Sequence, residues 1–196
     1  MFRGKAIGRK ALIFSALALV TVVGAGVAYS AASPSAKLDK QDRVYGGGQY
    51  GPGCFSDTDF CFAFARNIAI DAHAQDDGTE AVGNETYGHP DVGQAGRRLK
   101  VTCLRVEGNK AALGGIIEWG VNAGFWYVRY VIDRGAPADA TRDLVSPLDI
   151  DTAGSSYWPA GFPETCPSPT TGVPGGPPIY RELDEGDIVV QDATAN

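Results

Sequence analysis

Few side chains in this sequence could act as nucleophiles, proton carriers or metal ligands, and their spacing limits what they can do. The four cysteines are Cys54, Cys61, Cys103 and Cys166, and none of their spacings is the short CxxC from which zinc sites are usually built. An even set of thiols without a metal spacing reads as two disulfides formed in an oxidising compartment. His73 and His89 are the only histidines. General acid–base chemistry often uses one, but neither stands beside a nucleophile in a GxSxG or HExxH arrangement. Paired carboxylates serve glycoside hydrolysis, yet 23 acidic residues generate such pairs by chance. Asp71, Asp76, Asp77 and Glu80, with His73 among them, are the candidate metal ligands. Their spacing departs from the alternating oxygen ligands of a calcium loop, and a solvated hairpin tip explains them better. No metal or cofactor is therefore expected. The aromatic residues Trp119, Phe125, Tyr127, Tyr157 and Trp158 are the better binding candidates, because exposed rings accept sugars or apolar surfaces. The competing reading packs them beneath a loop.

The N-terminal segment sets the compartment in which these groups work. Arg3, Lys5, Arg9 and Lys10 precede an uncharged apolar run from Ala11 to Val27, followed by the small residues Ala28, Ser30, Ala31 and Ala32. This order is that of a secretory signal peptide spanning residues 1–30, and a retained anchor is the alternative. Removing it takes away four basic and no acidic residues, which moves the net charge from −6 to −10. So acidic a chain repels nucleic acid and anionic lipid, so neither is an expected partner, and no membrane association is expected after cleavage. Residues 31–42 are polar, without apolar period, and read as a flexible lead-in to one domain over 43–196.

The elements that position the candidates are strands. After the apolar run, glycine and proline punctuate short segments rich in β-branched and aromatic residues, as in a sandwich or barrel. The clearest unit is Arg98 to Trp119. Leu99, Val101, Cys103 and Arg105 alternate with Lys100, Thr102, Leu104 and Val106, and Gly108-Asn109 supplies a two-residue turn. That turn sets Val106 opposite Ala111, Leu104 opposite Leu113 and Cys103 opposite Gly114. Gly114-Gly115 points to a bulge or a close backbone approach. Phe125 to Asp133 is bulky on both faces and reads as a central strand. Phe60, Phe62 and Phe64 mark an earlier strand with one apolar face, Asp76-Asp77-Gly78 a turn, Glu80 to Tyr87 a return strand, and Gly186 to Gln191 a closing strand. The proline- and glycine-rich stretch from Ala153 to Pro178 is expected to be a long ordered loop.

These strands also place the cysteines. A turn at Asp57-Thr58 sets Cys54 opposite Cys61, leaving Cys103 to pair with Cys166. The long bridge contributes on the order of 4 kcal/mol in the chain-entropy model, against roughly 2.5 for the short one.

The segments Arg43-Val44-Tyr45-Gly46-Gly47-Gly48, Phe62-Ala63-Phe64-Ala65-Arg66-Asn67, Val101 to Ala111, Val131-Ile132-Asp133-Arg134-Gly135 and Gly186 to Val190 follow one another in this order. The order resembles a group of secreted all-β domains of unknown function, common in actinobacteria and related bacteria. The resemblance covers most of residues 43–192 and implies fold and export, with no activity.

The expectation is thus an all-β domain: one antiparallel sandwich or small barrel of about seven to nine strands with a long Pro/Gly-rich loop. Its expected role is that of a secreted, non-catalytic binding module for a glycan or surface protein, with a small hydrolase or ligand-carrying barrel as the alternative. Intact-mass analysis of culture supernatant should find a chain beginning near Ala31 or Ser33. Recovery of the full-length chain from the membrane fraction alone would refute export with cleavage.

Overall fold

The computed structural model describes residues 41–54, 61–75, 78–88, 96–135, 141–174 and 176–195, with Cys61 and Phe62 as backbone alone. The signal segment, most of the lead-in, the Asp57-Thr58 turn, Asp76, Asp77 and His89 lie outside the described residues. No helix occurs among the described residues. The strands are β1 (Gln41–Tyr50), β2 (Gly53–Cys54), β3 (Cys61–Phe62), β4 (Arg66–Gln75), β5 (Val82–Gly88), β6 (Arg97–Glu107), β7 (Lys110–Trp119), β8 (Trp126–Ile132), β9 (Leu144–Val145), β10 (Asp149–Asp151), β11 (Arg181–Glu182) and β12 (Glu185–Gln191).

One antiparallel sheet holds all of these except β2 and β3. Its path runs β11-β9-β8-β7-β6-β5-β4-β1-β12, with β10 also on β8. This resolves sandwich against barrel: a single sheet curls into a half-barrel and packs against itself. β1 begins at Gln41, inside the expected lead-in, because Gln41 and Asp42 pair with Gln75 and Ala74. Asp42 also accepts a bond from the Ala193 N–H at 3.0 Å.

The curl is possible because inward positions alternate along the long strands, with a bulge in β6 as the exception. β4 alternates fully, with Arg66, Ile68, Ile70, Ala72 and Ala74 buried and the residues between them exposed. Val44, Leu99, Val101, Leu104, Leu113, Ile117, Tyr127, Val131 and Ile188 join them in the inner core. The apolar strand expected at Phe60, Phe62 and Phe64 is displaced by β4. Phe60 is outside the described residues, β3 is two residues long, and Phe64 sits in a bend, 47% exposed.

Among the described residues, two charged side chains of this core have no exposed surface. Arg129 and Glu85 are both fully buried, joined by Arg129 Nε donating to Glu85 Oε1 at 2.6 Å. Arg129 Nη1 donates to the Ser146 carbonyl at 2.6 Å. Desolvation alone would lower the Arg129 pKa, but the Glu85 carboxylate reverses this and keeps the guanidinium charged.

The hairpin of β6 and β7 has the expected register from Val106–Ala111 through Leu104–Leu113 to Cys103–Gly114. The faces differ from strict alternation. A register shift between Val101 and Cys103 makes Thr102 an extra residue, so Leu99 and Val101 share the inner face with Leu104, while Cys103 turns outward. The bulge lies opposite the glycine pair. A Cβ at Gly115 would stand 1.9 Å from the Lys100 carbonyl oxygen, so no larger residue fits that approach.

Cys103 therefore belongs to a second core on the outer face, with Ala112, Val128, Tyr130, Trp158, Phe162, Cys166 and Val173. The Cys103–Cys166 disulfide spans 5.3 Å between Cα atoms and fastens the long loop to the sheet, as expected. A Cβ at Gly114 would lie 2.5 Å from the Phe162 ring and 2.7 Å from Cys103 Sγ, so glycine there leaves the room that bridge and ring occupy. In β2 and β3, Cys54 is set opposite Cys61, the register that a cross-strand bridge needs.

The free edge of β12 is covered by side chains rather than by another strand. Asp143 Oδ2 accepts from the Ile188 N–H at 2.7 Å and Asp133 Oδ2 from the Val190 N–H at 3.0 Å. Their other oxygens hold the Arg134 and Gly135 N–H groups at 2.9 and 2.7 Å. At the opposite end of the sheet path, β11 is only two residues from β12 in sequence. Leu183 and Asp184 between them bond to the Asp143 and Gln49 carbonyls, so the two edges are joined by one continuous segment.

The core pair yields a test. Arg129→Met strands a buried carboxylate and should cost about 3–5 kcal/mol in urea unfolding. Adding Glu85→Leu should recover most of that loss. A double variant as unstable as the single one would show that the cost is lost packing rather than uncompensated charge.

Candidate functional site

The aromatic candidates separate into three environments. Tyr127 is fully buried in the inner core, and Phe125 packs half-buried against it. Trp158 is 7% exposed in the outer core, stacked on Phe162 at 4.4 Å with Trp126 beside both. None of these three can serve as an exposed platform, because a two-faced sheet with two cores houses more aromatics than one core can. Tyr157 is half-buried, and Trp119 alone of the five candidates is exposed, at 57%.

A second shift of register exposes Trp119. Arg98 pairs with Trp119 but Leu99 pairs with Ile117, which leaves Glu118 as the extra residue. Trp119 thus stands on the outer face opposite Arg98, and Arg98 reaches Glu118 at 3.5 Å. Beside the indole runs a groove of about 440 Å³, lined among the described residues by Asn67, Ala69, Thr86, Gly88, Arg97 and Arg98 with others. Its surface is mostly apolar, with Asn67, Thr86 and Arg98 among the residues that line it.

A second depression lies between β10 and the disulfide-anchored loop. It holds about 480 Å³ and is lined by Pro147, Leu148, Asp149, Ile150, Asp151, Tyr157 and Ile179. The register of β10 on β8 sets Asp149 opposite Val128 and Asp151 opposite Trp126, so both carboxylates share the outer face. Their environments diverge. Burial pushes the Asp149 carboxyl up to about 6, against the pull of Arg129. Asp151 is held below the ordinary range by the Ser155 hydroxyl, at 2.6 Å, and by the Thr152 N–H, at 2.7 Å. The cleft thus holds two carboxyls of opposite tendency, one shifted by burial and one by local hydrogen bonds. Sequence reasoning passed over them because aspartates spaced by two in an acidic chain carry no signal until the strand pairing is known.

Of the candidate metal ligands, Asp71, His73 and Glu80 lie within the described residues. Asp71 and His73 project outward from β4, His73 two residues before the turn that begins at Gln75, and Asp71 lies 3.5 Å from Arg43. Glu80 follows the turn closed by the Gly78 N–H on the Gln75 carbonyl. Among the described residues no group of three or more His, Cys, Asp or Glu could hold a metal ion. His73 is exposed on the outer face and lines neither depression. Compared with protein families, characterised proteins and solved structures, the chain matches none.

The raised Asp149 carboxyl gives a stability signature with a defined sign. Its folded pKa of about 6 lies above the ordinary 3.8, so the folded state binds this proton more tightly than the unfolded one. The contribution is therefore present below about pH 4 and is lost as pH rises to about 6. Asp149→Asn should exceed the native chain in stability at pH 7, by at most about 3 kcal/mol, and match it near pH 4. Equal differences at both pH values in urea unfolding would contradict a desolvated Asp149.

Proposed function

We propose that this chain is an extracellular, non-catalytic binding module that holds glycan rings at the Trp119 groove. The exposed indole carries the reading. A large apolar ring held 57% in solvent beside an open groove forgoes the stabilisation of burial, and such surfaces usually mark interaction sites. The ring and the mostly apolar groove beside it offer a flat apolar face to a sugar, with Asn67, Thr86 and Arg98 in the lining. The filled interior supports the module over a ligand-carrying barrel, since Tyr50, Tyr87, Tyr127, Arg129 and their neighbours occupy the space inside the curl.

Export and membership of the actinobacterial group of secreted β-domains are parts of this proposal. The signal-like N-terminal segment and the Cys103–Cys166 bridge support an extracellular life. No helix among the described residues is long and apolar enough to cross a membrane.

Trp119→Ala should change folding stability by no more than about 0.5 kcal/mol, as expected of an exposed position. The same variant should lose at least about tenfold in affinity for whichever glycan the native protein selects on an array, the equivalent of about 1.4 kcal/mol. Undiminished glycan binding by the variant would remove the groove from the reading, and an array without any hit would remove glycans.

A further inference from the structure

The cleft between β10 and the long loop is separate from the Trp119 groove and presents different chemistry. Among the described residues, its lining has two carboxylates, one tyrosine and otherwise apolar side chains, with no basic residue. We propose that this cleft is a second binding site, and that it takes an alkylammonium or guanidinium group, with the Asp149 carboxylate as counter-ion and the Tyr157 ring alongside.

Asp149 has unused bonding capacity. Its carboxyl is partly buried at the cleft wall, and it makes no hydrogen bond or ion pair among the described residues. The cation whose field reaches it, Arg129, belongs to the opposite face of β8 and is committed to Glu85 and the Ser146 carbonyl. A neutral hydroxyl could offer Asp149 a hydrogen bond, but only a cation also offsets the cost of holding its charge out of water. Asp151 adds a second negative charge two residues along the same strand face, about 6.6 Å away at Cα. It is fixed in place by Thr152 and Ser155.

Two tyrosines complete the surroundings. Tyr157 stands half-buried at the rim, edge-on to Trp158 at 5.0 Å, so its position is set by packing. A cation beside its ring gains further attraction from the ring quadrupole. Behind the wall, the hydroxyl proton of the fully buried Tyr130 has no acceptor among the described residues, and Asp149 is the first of the charges acting on it. The site is thus pre-arranged around negative charge.

Only Asp149 changes state between pH 5 and pH 7 among the groups facing it. Burial moves the Tyr130 and Tyr157 hydroxyls upward, Arg129 stays charged, and Asp151 stays ionised. A cation that binds the carboxylate form alone should weaken about tenfold between pH 7 and pH 5, in proportion to the competent fraction.

The test is titration calorimetry on the purified protein with N-acetyl-lysine methylamide, N-acetyl-arginine methylamide and spermidine. N-acetyl-norleucine methylamide serves as the uncharged counterpart. The cationic probes should bind at pH 7 and lose about tenfold at pH 5, while the norleucine compound does not bind. Tighter binding of the amides assigns the site to basic side chains of a peptide, and tighter spermidine assigns it to free polyamines. Asp149→Asn, expected to be the more stable protein at pH 7, should abolish binding without loss of fold. Tyr157→Ala should weaken it, and Trp119→Ala should leave it unchanged. Binding of the norleucine compound equal to that of the lysine compound, a flat response to pH, full binding by Asp149→Asn, or no binding by any cationic probe would overturn the proposal. None of these outcomes bears on glycan binding at Trp119.

Discussion

A guanidinium–carboxylate pair spans the inside of the curled sheet, and much of the architecture is arranged around it. Arg129 stands on β8 and Glu85 on β5, with β6 and β7 between them in the sheet. Their bond crosses the interior as a chord rather than running along the ladder. The chord continues in both directions. Arg129 also holds the Ser146 carbonyl just beyond β9, and its guanidinium lies 5.1 Å from the centre of the Tyr87 ring. Arg66 on β4 donates to the Tyr87 hydroxyl at 2.8 Å, and the Tyr50 hydroxyl of β1 reaches the same oxygen at 3.5 Å. One polar chain thus touches β1, β4, β5, β8 and the segment after β9. Such a pair gives little net stability against an apolar filling, because two charges must be desolvated. It does fix geometry, since a slip of β5 or β8 by one residue would strand a charge in the core.

The outer face follows a different logic. The curl supplies no second layer there, so the loop after β10 provides one, using a small aromatic cluster and a disulfide. The bulge at Thr102 makes this possible. Strict alternation would turn Cys103 inward with Val101, out of reach of Cys166. One extra residue rotates the strand so that sulfur and loop meet, and the Thr102 hydroxyl donates to the Pro163 carbonyl at 2.8 Å beside them. Anchoring the loop also builds the wall of the Asp149 cleft, so the bulge, the bridge and the cleft form one causal sequence.

Much of this was legible in the chain itself. The β6–β7 hairpin, its register, the central character of β8, the closing strand and the Cys103–Cys166 bridge follow from alternation, turn residues and cysteine count. β4 was hidden because two of its inward residues are alanines and Ala69 faces outward, which blurs the period. The phenylalanines before it offered a louder but misleading alternation. The face of Cys103 was hidden because a bulge leaves no mark beyond the glycines opposite. Of the site, Trp119 was legible as an aromatic but not as the exposed one, since exposure came from a second shift of register. Asp149 was not legible at all. Its character depends on which strand β10 joins and on which ring closes over it, and both are long-range facts.

The two aspartates along β12 have a consequence for the protein at high local concentration. A sheet edge offers alternating N–H and C=O groups to any extended chain, and fibrous self-association begins at such edges. Asp133 and Asp143 occupy the outward N–H groups of Ile188 and Val190 from within the same molecule. A second copy approaching this edge would meet carboxylates where it needs free donors, and its own carbonyls would face like partial charge. The contacts that finish the fold therefore also keep neighbouring molecules from extending it.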